Sequence, residues 1–244
     1  MTLRREDKSI ALGHPSYLWR FGQERRLGFI QRYAPLEGKR ILDVGCGVGM
    51  YARAMQAFSE RVYGMDVDAE RAAQARRLLP NIVVAPAERL PFASGFFEVV
   101  LLHEVIEHVE DDRRAIQEVY RVLAPGGRMV IFAPNRLYPL ETHGFFWQGK
   151  YHFGNIPLIN WLPDPLRGRL APHVRAYTRR DLRRLLDGLP IRVLVNTQIF
   201  PGYDKIAARW PVLGRVLRKV TYFLEKTPLR CIGLSHFLVV EKQA

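Results

Sequence analysis

Nine residues, Ile41-Leu42-Asp43-Val44-Gly45-Cys46-Gly47-Val48-Gly49, carry the densest chemical signal in the chain. An apolar strand end runs into an acid and then into three glycines at alternate positions. Glycine turns sharply and leaves no Cβ between the backbone and a ligand. Residues 50–58 predict a helix whose N-terminus would face that ligand with its positive partial charge. Asp66, seventeen residues after Gly49, closes the run Arg61-Val62-Tyr63-Gly64-Met65. An acid at the tip of the second strand of a βαβ unit accepts hydrogen bonds from ribose hydroxyls. The nicotinamide fingerprint needs a glycine where this chain has Met50, so a dehydrogenase fits poorly.

Histidine is the side chain most able to move a proton near neutral pH. His103 and His108 flank the run Glu104-Val105-Ile106-Glu107, and His143 and His173 lie further on. Each is a candidate general base, with a hydrogen-bonded structural role as the competing reading.

Three more segments follow the glycine loop in order: Ala87-Glu88-Arg89-Leu90-Pro91-Phe92, the strand 97–102 leading into His103-Glu104-Val105-Ile106-Glu107-His108-Val109, and Leu123-Ala124-Pro125-Gly126-Gly127. With the loop they resemble the class I S-adenosylmethionine-dependent methyltransferases, specifically the type 11 group, densely over residues 38–133. The resemblance implies S-adenosylmethionine as cofactor, held by Asp43, Gly45, Cys46, Gly47, Gly49, Asp66, Val67, Ala87, Glu88 and His103. Family members often carry an acid just before the Ala87 position; here Pro86 stands there, which passes that contact to Glu88 or to backbone. The pattern is nearest to the ubiquinone-biosynthesis O-methyltransferases, through Glu104, Glu107 and His108, the turn Asn135-Arg136, and His173. In that group the two glutamates and the histidine resemble a divalent-cation site. The step Glu-His-Val also occurs in type 11 enzymes that use no metal, and no metal ligand is assigned here. His143, His173 and His103 are the catalytic candidates, the first two because the acceptor pocket of the family is lined by the region after strand five.

These residues need a scaffold that sets them at one edge. Strands near 40–44, 62–66, 82–85, 99–102 and 128–132 alternate with helices, which predicts an α/β Rossmann-like sheet with helices on both faces. A leading helix is expected over 15–34, with Tyr17, Leu18, Phe21, Leu27 and Ile30 as its apolar contacts. Thr178 and Asp181 predict a capping box that opens a helix ending at Gly188. Strands near 191–199 and 234–241 complete the seven-stranded sheet of the family, the last antiparallel. The domain plan is a single methyltransferase domain over 1–244: a helical cap to 34, a cofactor-binding core over 35–135, a lid or substrate insertion over 136–177, and C-terminal helices and strands over 178–244.

Two segments exceed that plan. Residues 136–177 form a long connection rich in aromatics, among them Tyr138, Phe145, Trp147, Phe153 and Trp161. Connections of this length are lids or binding loops, or are disordered, and the aromatic content argues against disorder. It reads as a satellite core, a pocket wall, or both. In residues 204–226, Ile206, Trp210, Leu213, Leu217, Val220 and Leu224 recur at helical spacing, with Arg209, Arg215, Arg218 and Lys219 away from the stripe. Pro211 predicts a break, with a second helix beginning there. The stripe reads either as packed against the core or as an interfacial membrane helix.

Composition bounds the function. A chain of 244 residues, 48% hydrophobic and 25% charged, suffices for one α/β domain. No run of eighteen apolar residues exists, and residues 1–8 carry charge without an apolar stretch, so no spanning segment or secretory signal is expected. Two cysteines exclude a disulfide framework, and the cytoplasm is the expected compartment, with peripheral attachment to the inner membrane face as a variant. Residues 1–140 hold 20 Lys and Arg against 17 Asp and Glu, a net of +3; residues 141–244 hold 17 against 7, a net of +10. Such asymmetry suits an anionic membrane surface, nucleic acid, or a solvated arginine-rich face.

The resulting expectation is a methyltransferase acting by O-methylation on a small, apolar or lipid-linked acceptor. The alternatives are an RNA or protein methyltransferase, a non-catalytic cofactor-binding module and a nicotinamide oxidoreductase. Nucleic acid is the less expected partner, because strand four lacks the Asn/Asp-Pro-Pro-aromatic ending of base-amino methylating enzymes: Leu102-His103-Glu104-Val105 stands there.

Overall fold

The computed structural model of the chain describes residues 18–243. Helix α1 (Phe21–Tyr33) opens after Arg20, whose backbone N–H donates to Gln23 Oε1 at 3.2 Å. Residues 15–17 of the predicted leading helix lie outside the described residues. Leu27 and Ile30 are buried as their spacing requires, whereas Leu18 and Phe21 are exposed, because the chain is not yet helical at Leu18 and Phe21 begins the first turn.

Strand β1 (Ile41–Val44), helix α2 (Met50–Met55), strand β2 (Val62–Asp66), helix α3 (Ala69–Ala75) and strand β3 (Ile82–Val84) follow as an unbroken β/α alternation. Strand β4 (Phe97–His103), helix α4 (Asp112–Val122) and strand β5 (Leu123–Pro134) continue it. All four residues of β1 are buried, as a strand covered on both faces demands. Strand β5 begins five residues before the predicted Arg128, since Pro125, Gly126 and Gly127 form an irregularity within the strand rather than a turn ahead of it.

The insertion folds into short strands β6 (Leu140–Glu141), β7 (Phe145–Trp147), β8 (Lys150–His152) and β9 (Ile156–Pro157), a 3₁₀ turn (Ile159–Trp161) and helix α5 (Asp164–Leu170). Ile159, Ala171 and Val174 form its own small core, packed by Phe145, Ile156 and Leu170. Helix α6 (Arg179–Leu185) opens on the predicted capping box, with Thr178 N–H donating to Asp181 Oδ2 at 2.8 Å and Asp181 N–H to Thr178 Oγ1 at 3.2 Å. Strand β10 (Ile191–Ile199), helices α7 (Asp204–Arg209) and α8 (Pro211–Leu224), a 3₁₀ turn (Pro228–Ile232) and strand β11 (Ser235–Lys242) complete the chain. Pro211 occupies the first turn of α8, where its missing N–H costs nothing.

The sheet order is β10-β11-β5-β4-β1-β2-β3. Only β11 runs antiparallel, against both β5 and β10. One face packs Leu42, Val44, Val100 and Leu102 under α4 and α6; the other packs Ile41, Val99, Leu101 and Phe132 under α1, α2 and α3. The strand order turns back at β1, which pairs with β2 on one side and β4 on the other. In open α/β sheets ligands bind outside the carboxyl ends of strands at that point. The glycine loop, Asp66 and His103 therefore all arrive at one edge.

Glu118 on α4 is buried and accepts from Leu90 N–H at 2.9 Å and from Arg121 Nη2 at 2.8 Å. Its truncation leaves a buried N–H and a guanidinium without their acceptor. Glu118→Ala should lower stability by about 1–3 kcal/mol, read from the urea midpoint at unchanged slope.

Candidate active site

Gly45, Gly47 and Gly49 all hold positive φ, at 67°, 56° and 86°. At Gly45 a Cβ would stand 2.6 Å from Val105 Cγ2, so the loop can approach the end of β4 only without a side chain. Gly47 N–H donates to Asp66 Oδ2 at 2.8 Å, and Asp68 N–H donates to Asp66 Oδ1 at 2.9 Å. Asp66 thus ties the loop to the tip of β2. Burial raises its carboxyl above the usual range, against these backbone donors. Asp43 is more extreme: burial, with the nearby Asp66 charge and against a bond from the Ala52 backbone, pushes it up to about 8.

Asp43 and the first part of the loop open onto a cavity of about 470 Å³, and Asp66 lies outside its lining. Asp43, Gly45, Cys46, Gly47, His103 and His143 line it. Its size lies in the range of small-molecule sites. Of the other expected contacts, Gly49 packs against Ala75 and Val67 is an exposed rim residue beside Asp66. Ala87 is buried in the core under α4. Glu88 is turned away from the cavity: its Oε1 accepts from Glu110 N–H at 2.8 Å and Asp111 N–H at 3.3 Å, in the turn before α4.

The opposite wall contains a group that sequence reasoning missed. Arg26 on α1 donates through Nη1 to His103 Nε2 at 2.7 Å and to Glu104 Oε1 at 2.8 Å, and through Nη2 to Ser235 Oγ at 2.8 Å. Ser235 Oγ–H donates to the same Glu104 oxygen at 2.7 Å. Burial works to raise Glu104, but Arg26 and the surrounding hydrogen bonds outweigh it and hold the carboxyl at about 2. His103 is lowered to about 3 by burial and then by the Arg26 charge. With its Nε2 lone pair committed to Arg26, His103 is a neutral wall residue and not a base. Tyr51 stacks on it with ring centroids 4.4 Å apart, and the buried Tyr51 hydroxyl lacks a hydrogen-bond partner.

The insertion supplies a second polar group. His143 Nδ1 bonds Glu141 Oε1 at 3.1 Å, and Arg167 Nη2 donates to Glu141 Oε2 at 3.0 Å. Burial works to raise Glu141, and His143 and Arg167 overcome it to lower the carboxyl. His173 does not face the cavity; its Nε2 meets the His143 carbonyl at 3.1 Å, and its ring packs on Phe146 and Tyr151. It supports the backbone that carries His143. Glu141 carried no motif, and only its place two residues before His143 could have drawn notice.

Glu107, His108 and His143 offer ligand atoms all within 4.8 Å of one another. Both Glu107 carboxyl oxygens are buried without a hydrogen-bond partner, and burial followed by the Glu104 charge raises that group well above its usual range. An acid and two imidazoles in such a cluster fit a divalent cation. Glu104, grouped with Glu107 and His108 by sequence, is committed to Arg26 and Ser235 instead.

Residues 42–131 match the family model described as a methyltransferase domain. The ubiquinone biosynthesis O-methyltransferase of Pectobacterium atrosepticum is 35% identical over 198 residues, covering 70% of this chain and 80% of that protein. The chain belongs to the type 11 class I S-adenosylmethionine-dependent methyltransferases. The corresponding enzyme of Cronobacter sakazakii is 28% identical over 201 residues, covering 71% of this chain and 80% of its own. Among solved structures, an S-adenosylmethionine-dependent methyltransferase from Mesorhizobium loti superposes with a TM-score of 0.60 at 19% identity, over 88% of this chain and 96% of that one. A [4+2]-cyclase does so with 0.58 at 19% identity, over 97% and 92%, so the architecture alone does not select a reaction.

S-adenosylmethionine is the cofactor of this methyltransferase, and the cavity suits it. Gly45, Cys46 and Gly47 with Asp43 form one wall, Asp66 stands behind the loop and ties it to β2, and Arg26 and Tyr51, whose hydroxyl has no hydrogen-bond partner among the described residues, offer polar contacts on the other side. Gly47→Val should abolish binding of S-adenosylhomocysteine in calorimetry, because a β-branched residue resists positive φ. Asp66→Ala should weaken it by about 2–4 kcal/mol. In the cofactor-free protein Asp43 binds a proton that the unfolded chain releases near pH 4. Its stabilising contribution is complete below that pH and is lost as pH rises through about 8. Asp43→Asn should flatten this decline in melting temperatures between about pH 5 and 9.

Proposed function

We propose that this methyltransferase transfers the methyl group to a hydroxyl of a small, apolar or lipid-linked acceptor, with His143 as the general base. The observation that carries the reading is that His143 lines the same cavity as the glycine loop while the buried Glu141 behind it holds its Nδ1. A carboxylate on one imidazole nitrogen fixes the tautomer and stabilises the imidazolium that forms, leaving the other nitrogen to accept a proton. His143 Nε2 makes no hydrogen bond among the described residues, so it is open to an acceptor.

When bound, S-adenosylmethionine supplies an electrophilic methyl group on a sulfonium. The acceptor hydroxyl gives its proton to His143 Nε2 as its oxygen bonds the methyl carbon and the carbon–sulfur bond breaks. Arg167 keeps Glu141 ionised, and His173 holds the His143 backbone; both position the base rather than touch the acceptor. Phe153, Phe200, Pro201 and Leu234 add apolar wall to the cavity, which favours an acceptor with hydrocarbon character. The relatives named for ubiquinone biosynthesis support the same class.

The Glu107–His108–His143 cluster favours a second reading, in which those residues would hold a divalent cation that would lower the pKa of a coordinated hydroxyl. Orphaned carboxyl oxygens on Glu107 are its support.

Phenols and catechols with and without a polyprenyl tail, assayed for methyl transfer beside bulk RNA and protein, test the acceptor. Tailed phenols should turn over fastest; methylation of RNA or protein alone would sink the proposal. His143→Ala should lower kcat by about 10² or more with cofactor affinity nearly intact, and His173→Ala should cost less. Activity that survives a chelator supports the imidazole base, whereas loss on chelation, restored by one divalent metal and abolished in Glu107→Gln, supports the cation.

A further inference from the structure

Helix α8 leaves more apolar surface outside than an ordinary surface helix does. Such a helix buries its aliphatic stripe and shows its polar face to water. Of the stripe expected to pack, Ile206, Leu217 and Leu224 are half-buried, whereas Trp210, Leu213 and Val220 are exposed. Gly214 sets the rotation, because it lies so close to α7 that a Cβ there would stand 2.5 Å from Ala207 Cα. Polar anchors complete it. Arg218 donates to the Gly202 carbonyl at 2.7 Å and to Asp204 Oδ1 at 3.2 Å, with its guanidinium 3.9 Å above Phe21. Tyr222 O–H donates to the Pro201 carbonyl at 3.1 Å, and Glu225 pairs with Arg25 and accepts from Phe200 N–H at 2.8 Å. What remains outside is a row at i, i+4 spacing: Val212, Val216 and Val220, 66%, 52% and 52% exposed, ending at Phe223, 65% exposed.

Uncompensated positive charge flanks the row. Arg215 and Lys219 lie beside it, and Lys226 and Arg230 lie beyond its end; none of the four side chains makes a hydrogen bond or ion pair among the described residues. Glu225, the one acid between residues 205 and 230, is consumed by Arg25. At the end of the helix a pocket of about 280 Å³ is lined by Arg179, Lys226, Thr227 and Arg230, with no acid in its wall. Exposed Leu229 stands beside those residues.

We propose that α8 and this basic pocket dock the enzyme on an anionic phospholipid bilayer. Val212, Val216, Val220 and Phe223 enter the interfacial region, Arg215 and Lys219 lie among the headgroups, and the pocket receives a lipid phosphate. Charge selects this occupant. A second copy of the same face would set cations against cations. Single-stranded nucleic acid would meet the cations, but between Trp210 and Phe223 at the two ends it would find only valines, where stacking of successive bases needs a run of aromatic platforms. An amphipathic helix with cations beside an apolar row matches the headgroup boundary of a charged membrane. The inner side of α8 grips residues 200–204, and Phe200, Pro201, Gly202 and Asp204 line the catalytic cavity, so docking would bring that wall to the bilayer. The inference goes beyond the O-methylation reading and stands whichever acceptor is methylated.

Flotation of the full chain with phosphatidylglycerol or phosphatidylcholine vesicles tests it. Binding to phosphatidylglycerol alone is expected, weakening as salt rises. Val216→Ser/Val220→Ser/Phe223→Ser and Arg215→Glu/Lys219→Glu should each reduce it by about tenfold or more while S-adenosylhomocysteine affinity, the control for folding, is unchanged. Lys226→Gln/Arg230→Gln should also weaken it, and inorganic phosphate at matched ionic strength should compete in wild type but not in that variant. No binding to phosphatidylglycerol, or binding that the α8 variants leave intact, overturns the proposal. So does capture of RNA, or self-association in light scattering, relieved by the same variants in place of vesicle binding.

Discussion

The buried guanidinium of Arg26 is the contact on which the active-site wall depends. It joins α1 to the end of β4 and the start of β11, three elements with no local reason to meet. A buried cation is tolerated only when it is paired and hydrogen-bonded. Glu104 supplies the charge and adopts positive φ to do so, a conformation that costs a residue other than glycine free energy. The strain sits beside the cavity, where surrounding contacts hold it in place. His103 is kept neutral by the same guanidinium, so one side chain decides both which acid is ionised and which histidine is not a base.

The carboxyls around the cavity divide into two sets by environment. Glu104 and Glu141 each face an arginine and stay ionised. At Asp43, Asp66 and Glu107 burial outweighs the groups that favour the charged form and raises all three. A site whose acids are pushed apart in this way has separated its structural ions from its ligand-responsive ones. A cationic ligand would favour ionisation of Asp43 and Asp66, which matches the sulfonium and ammonium groups of S-adenosylmethionine. The fold thus holds charge in a form that the cofactor completes.

The same logic extends outward from the cavity. The insertion has its own small core and reaches the site in two ways: Phe153 lines the cavity, and the buried Arg167–Glu141 pair orients His143. Helix α8 turns Arg218 and Tyr222 to the 200–204 wall and leaves Val212, Val216 and Val220 outside with Arg215 and Lys219. Both additions to the minimal sheet therefore act on the cavity through polar contacts, not through hydrophobic burial alone.

The sequence alone determined the features whose causes are local. Strands β2 and β10 occupy the residues expected of them, Thr178 caps α6, Pro211 starts α8, and the three glycines bend the loop. Each follows from periodicity, capping or backbone freedom within a few residues, whereas the seven-stranded sheet with its last strand antiparallel was implied by the resemblance to the family. The tertiary structure decided the rest. Arg26 stands 77 residues from His103 and 209 from Ser235, and no local pattern marks it among 37 Lys and Arg. Glu88 was drawn into a turn, Glu104 was engaged by Arg26 and Ser235, and Gly214 set α8 against Ala207. Spacing specifies which residues share a helix face; which face is buried depends on the close approach of another element, and that exists only once the chain has folded.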